Sequence, residues 1–78
     1  MLTLELLELT EEYVQYKFFP EGKEDNFGIV QVNLADFNRV LIKDAQNVHD
    51  WYRRHAWAQV ERLARRGVFP QRSGAAWY

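Results

Sequence analysis

The sequence contains no cysteine, and this absence excludes several architectures that are common in small proteins. Without thiols the chain forms neither a disulfide framework, nor a zinc–thiolate site, nor an iron–sulfur cluster held by thiolates. A cysteine-free small domain is typical of reducing compartments, so we expect a cytoplasmic protein.

Long apolar runs and clustered glycines are also lacking. The stretch MLTLELLEL is interrupted by Glu5 and Glu8 and carries no basic leader, so we expect no signal peptide. No apolar run approaches the roughly 20 residues that span a bilayer. The four glycines are too scattered for a phosphate-binding loop, and Ser73 is the only serine. These absences predict a protein that is not an enzyme, needs no cofactor and does not bind membranes.

The residues that are present predict one small domain, 1–78, with a charge asymmetry. Hydrophobic residues make up 47% of the 78 positions, which is enough for a core. Up to Asn38 there are two lysines and eight acidic residues, whereas the remainder has eight basic and three acidic residues. The favoured interpretation is that the halves attract each other within one fold or between subunits; the alternative is a basic helix that binds an anionic partner.

Alternating hydrophobicity predicts strands at about 2–9, 13–19, 28–34 and 39–44. For the first two strands, one register opposes two apolar pairs and one pair of opposite charge: Leu6 with Tyr16, Leu4 with Phe18 and Glu5 with Lys17. Leu7 and Leu9 fall on the other parity, which indicates a two-sided strand end or a bulge. The pattern favours a hairpin with Leu9 opposite Tyr13.

The next two strands predict a second hairpin in which Leu34 opposes Val40 and Val32 opposes Ile42. A spacing of four between Phe37, Leu41 and Ala45 leaves open an earlier start of the helix. We favour a strand because β-branched residues flank Leu41. The uncovered sheet face is then expected to carry Glu5, Leu7, Leu9, Tyr13, Gln15, Lys17, Phe19, Ile29, Gln31, Asn33, Arg39, Leu41 and Lys43.

A helix is predicted at about 48–66. Asn47 is a suitable N-cap, and Asp50 stands three residues later in the capping-box position. At the other end, Gly67 can adopt the left-handed conformation that lets Val68 pack back on Leu63. The fold class is therefore α+β: a four-stranded antiparallel β-meander, one long α-helix packed on one sheet face, and a short C-terminal tail, 67–78, folding back.

The stretch HDWYRRHAW at 49–57 combines groups that could suggest a metal or catalytic site. His49 and His55 are six residues apart, so they point in different directions from a helix and cannot share one ion. On a helical wheel, a half-turn arc faces the core; it contains Val48, His49, Tyr52, Arg53, Ala56, Trp57, Val60, Leu63 and Ala64. Asp50–Arg54 and Glu61–Arg65 have the spacing of surface ion pairs, and Trp51 remains on the polar side.

The sequence favours a non-enzymatic protein-interaction domain that self-associates. We expect the partner to be a second copy, in a homodimer, or another protein. Its candidate interaction surface comprises Trp51, His55, Arg54, Arg62, Phe19, Tyr13, Trp77 and Tyr78. For Trp77 and Tyr78 we favour docking on the domain over an exposed anchor. The alternative function is nucleic-acid binding by arginines of the helix and tail: Arg53, Arg54, Arg62, Arg65, Arg66 and Arg72.

Overall fold

A computed structural model describes residues 2–75 and shows one antiparallel sheet with one helix packed on it. The elements in chain order are β1 (Leu2–Leu9), β2 (Tyr13–Pro20), β3 (Gly28–Asn33), β4 (Arg39–Lys43), α1 (Trp51–Arg66) and β5 (Arg72–Ala75). The strand order is β4-β3-β2-β1-β5. The α+β class and the four-stranded meander are confirmed, and the tail adds a fifth strand.

The first hairpin has the register that the sequence predicts over most of its length. Leu6 lies opposite Tyr16, and a bulge at Leu7 then shifts the pairing, so that Leu9 faces Val14 and not Tyr13. Thr10 explains why this turn needs no glycine. Its Oγ1 accepts hydrogen bonds from the backbone N–H groups of residues 12 and 13, both at 3.1 Å.

The predicted register of the second hairpin is wrong. Val32 lies opposite Arg39 and Val30 opposite Leu41, so the pairing is displaced by an odd number of residues and the faces of β4 are exchanged. The cause lies in the turn. Phe37 adopts a left-handed backbone (φ 59°) and packs against the core, which places Arg39 rather than Val40 on the helix side.

The helix begins at Trp51, three residues later than predicted. Asp50 is the N-cap but makes no side-chain capping bond, so the predicted capping box with Asn47 is wrong. Asn47 instead has a left-handed backbone, φ 57°, within an irregular connection. Asn26 holds that connection, because its amide donates to the Gln46 carbonyl at 2.7 Å and accepts from the Gln46 N–H at 2.8 Å.

The end of the helix is formed as predicted. Gly67 adopts a left-handed conformation with φ 68°, and its N–H donates to the Ala64 carbonyl at 3.2 Å. The Val68 N–H donates to the Leu63 carbonyl, also at 3.2 Å, which completes the Schellman pattern. The Val68 side chain is 51% exposed, however, so the motif is held chiefly by its backbone bonds.

The core lies between α1 and one face of the sheet. Its buried side chains are Leu2, Leu4, Val14, Tyr16, Phe18, Val30 and Val32 from strands, with Ala45, Ala56, Val60 and Leu63. The helix packs over β1, β2, β3 and β5. Burying each large side chain contributes about 1.5–3 kcal/mol, so this layer dominates the stability of the domain.

The tail folds back along the first strand. Leu2 pairs with Ala75 and Leu4 with Ser73, and the Leu6 N–H donates to the Gln71 carbonyl at 2.8 Å. The Tyr16 hydroxyl donates to the Pro70 carbonyl at 2.7 Å and ties the tail to the core. Trp77 and Tyr78, which we predicted to dock, lie outside the described residues.

Candidate interaction surfaces

The uncovered face of the sheet is more polar than the sequence predicts. Its centre is an amide ladder in which Gln15 donates to Gln31 at 2.9 Å and Gln31 donates to Asn33 at 2.8 Å. Two of the predicted members, Arg39 and Leu41, lie on the helix side because of the altered register of β4. Leu9 also lies on the helix side, opposite Val14, because the bulge at Leu7 exchanges the faces beyond it.

One end of this face carries an aromatic pair flanked by lysines. The rings of Phe19 and Phe27 are 5.9 Å apart between centroids. The ammonium groups of Lys17 and Lys43 lie 4.8 and 3.7 Å from the Phe27 centroid. Phe19 is only 9% exposed, so this predicted member of the interaction surface offers little area to a partner.

The opposite end of the face forms an acidic groove. A cavity of about 410 Å³ is lined by Glu11, Glu12, Tyr13, Gln31, Asn33, Ala35 and Asp36. The Tyr13 hydroxyl donates to Glu8 at 2.7 Å, and this hydrogen bond to a carboxylate raises the Tyr13 pKa. Tyr13 is therefore a half-buried wall of the groove whose hydroxyl is already engaged.

A second groove lies at the end of the sheet where the helix starts. A cavity of about 380 Å³ is lined by Pro20, Glu21, Lys23, Asp25, Asn26, Gln46, Asn47 and Val48. The Tyr52 hydroxyl donates to Glu21, which lowers the Glu21 pKa and raises that of Tyr52. Among residues 2–75, no cluster of three or more histidine or acidic side chains has the geometry to hold a metal ion.

Trp51 is exposed at the start of the helix, as predicted, with 53% of its surface accessible. The His49 ring lies beside it, with centroids 4.8 Å apart, and the His49 Nδ1 accepts the Trp51 backbone N–H at 3.1 Å. His49 is exposed, so its predicted place in the core-facing arc is wrong, because the helix starts after it. His55 is half-buried in the second turn of α1.

Carboxylates neutralise most of the arginines that could contact an anionic partner. The predicted pairs Asp50–Arg54 (3.0 Å) and Glu61–Arg65 (3.1 Å) are confirmed. Further ion pairs in the described residues are Arg53–Asp44 at 2.8 Å, Arg39–Glu61 at 3.1 Å and Arg72–Glu5 at 3.4 Å. Hydrogen bonds from Arg65 and then Arg39 lower the Glu61 pKa. Arg62 donates to Gln59 at 3.3 Å.

Strand β4 is the surface that sequence reasoning missed. All five of its residues are exposed. Val40, Leu41 and Ile42 expose 37%, 38% and 49% of their surface, although the sequence placed Val40 and Ile42 under the helix. Ile42 occupies a bulge, since Val30 pairs with Leu41 and Ile29 with Lys43. The charged residues at both ends of β4 were the available signal of an edge strand.

Comparison of the chain with protein-family models, with curated proteins and with solved structures finds no match. Within the described part of the chain, no helix is both long and apolar enough to cross a membrane.

Proposed function

We propose that this protein is a non-enzymatic interaction domain that self-associates. The observation that carries the proposal is the run of three consecutive aliphatic side chains exposed on β4; the other exposed aliphatic side chains of the described strands, Leu7 and Leu9, are not adjacent in sequence. Contiguous exposed apolar side chains mark surfaces that bind other proteins. Association would remove them from water, with a gain of about 25 cal/mol for each Å² of apolar surface buried.

The contacts of the polar residues support a structural rather than a catalytic role. Ser73 Oγ lies 3.3 Å from the Gln59 amide, which donates to it and joins the tail to the helix. The His49 ring accepts the N–H of Trp51 and supports the start of the helix. The helix and the edge strand therefore present packing and ion-pair groups, which suit a binding surface.

Self-association is tested by sedimentation velocity at low and high micromolar concentration. One chain has a mass of 9.3 kDa, so we expect the fitted mass to rise towards twice that value as the concentration increases. A mass that stays at one chain across the whole range would contradict the proposal.

Nucleic-acid binding is the second candidate, and it depends on Arg62 and Arg66. Both are exposed on α1, and neither forms an ion pair with a carboxylate among residues 2–75. Two such charges would give weak binding that falls with salt. Fluorescence anisotropy with mixed single-stranded RNA and DNA at low and moderate salt tests this candidate, and an anisotropy that never changes removes it.

A further inference from the structure

Strand β4 is one of the two edges of the sheet, and its exposed side chains lie on both faces. Val40 pairs with Gln31 on the uncovered face, and Leu41 pairs with Val30 on the helix face. A partner stacked on one face would cover only one of these two side chains. A strand placed edge-on contacts side chains of both faces, and it also binds the backbone groups that point away from β3. The exposure pattern therefore selects an extended strand as the partner.

The helix leaves room for such a neighbour. It packs over β1, β2, β3 and β5, and its described polar tie to β4 is the Arg39–Glu61 pair. Leu41 is on the helix side of the sheet, yet it remains 38% exposed. A strand added beside β4 would bring its own apolar side chain against Leu41.

We propose that the partner is β4 of a second copy, paired antiparallel about a two-fold axis, so that two sheets join into one of ten strands. This inference rests on the proposed self-association and specifies its surface. A two-fold contact between identical edges is closed, because each β4 is used once. The edges that remain are the two β5 strands, of which the structure describes Arg72–Ala75.

The faces and charges of the edge favour one register over another. In the register with Leu41 opposite Leu41, Arg39 on the helix face would lie across from Lys43 of the second copy, which is on the uncovered face, whereas directly opposed residues of antiparallel strands share a face. In the register with Leu41 opposite Ile42, Arg39 faces Asp44 of the second copy at both ends. Opposite charges favour this second register.

The bulge provides the backbone geometry that this register needs. Val40 pairs with Gln31, and Lys43 pairs with Ile29. The two partners on β3 are two residues apart, whereas Val40 and Lys43 are three residues apart, because the bulge adds one residue to β4. The residues just outside them, Arg39 and Asp44, are then equivalent on the outer edge. Their side chains are 42% and 41% exposed, so each can contact a second copy while it keeps its ion pair within the chain, Arg39 with Glu61 and Asp44 with Arg53.

The first experiment compares Ile42→Lys with Val68→Lys by sedimentation velocity, with circular dichroism to verify folding. Both positions are aliphatic and half-exposed, at 49% and 51%, but only Ile42 is on the edge. A lysine at 42 adds charge beside Lys43, and we expect dimerisation to weaken by at least about tenfold, while Val68→Lys leaves it unchanged. If the parent chain dimerises and Ile42→Lys dimerises equally well, the proposed contact between β4 strands is overturned, whereas the proposal of self-association stands. A monomeric parent overturns both.

The second experiment tests the register with complementary variants. Arg39→Asp alone sets two acidic residues across the axis, and Asp44→Arg alone sets two arginines across it, so each variant by itself should be monomeric. An equimolar mixture restores an opposite-charge pair at both ends, and we expect it to form a heterodimer. Failure of the mixture to associate, with both variants folded, would overturn the register with Arg39 opposite Asp44.

Discussion

Both hairpins of this sheet are built from strands with alternating apolar residues, but they are held in different ways. In β1–β2, buried apolar partners such as Leu4 and Phe18 face each other under the helix. In β3–β4, buried Val30 faces exposed Leu41, and β4 is held by polar contacts at its two ends. Burial under the helix therefore sets the register of the first hairpin. In the second hairpin β4 is not covered by the helix, and the geometry of the turn and the polar contacts at the ends of β4 set the register.

Matched valines provide the sharpest way to break this comparison. Val14 is fully buried in the first hairpin, and Val40 is 37% exposed in the second. Truncating a buried side chain loses its transfer free energy and leaves a cavity, so Val14→Ala should lower the free energy of unfolding by about 2 kcal/mol. Val40→Ala should lower it by less than about 0.5 kcal/mol. Urea unfolding monitored at a low, monomeric concentration measures both, and equal losses would show that the hairpins are not held differently.

The Asn26 clip tests whether polar tethers hold the end of the second hairpin. Asn26→Ala removes both bonds to the Gln46 backbone and should cost about 1–2 kcal/mol of unfolding free energy. Gln46→Ala is the matched control, because it keeps the backbone groups that make these bonds. Thermal unfolding compares the two variants. If Asn26→Ala and Gln46→Ala unfold at the same temperature, the hydrogen bonds of Asn26 to the Gln46 backbone do not contribute to stability.

The smallest effect concerns the other tether, between Glu61 and Arg39. The pKa of Glu61 in the folded chain is below its ordinary value of 4.5 because Arg65 and Arg39 donate to it. Its contribution to stability is therefore complete above the unfolded value and is lost as the pH falls through the folded value. We expect Glu61→Gln to flatten the loss of stability below about pH 4.5. Urea midpoints of Glu61→Gln and of the parent chain over a pH series measure this, and two curves that fall equally steeply would contradict it.

Most of the fold followed from patterns that concern the buried layer. The first hairpin was predictable because charge and apolar matches agreed on one register, and the helix end because Gly67 suits a left-handed cap. The start of the helix was not predictable from the sequence. Asn47 has a left-handed backbone in a connection that is held by the hydrogen bond from Asn26 to the Gln46 carbonyl, and Asn26 is distant in sequence. Local capping preferences contain no information about such a contact.

The candidate surface was harder to predict for the same reason. Trp51 was recognised from the helical wheel, but the exposure of Val40 and Ile42 depends on how Phe37 closes the preceding turn. A β-branched run looks the same in sequence whether it is a covered strand or an edge strand. Only the neighbours supplied by the fold distinguish the two.

The pairing of β5 with β1 has a consequence for the order in which the chain is made. Glu5 and Arg72 are hydrogen-bonded neighbours although 67 residues separate them in sequence. A nascent chain can therefore form the first hairpin early, but the outer edge of β1 has no neighbour until residues 72–75 leave the ribosome. Throughout that interval an apolar strand offers its free backbone to other chains, and pairing with β5 ends this exposure of β1.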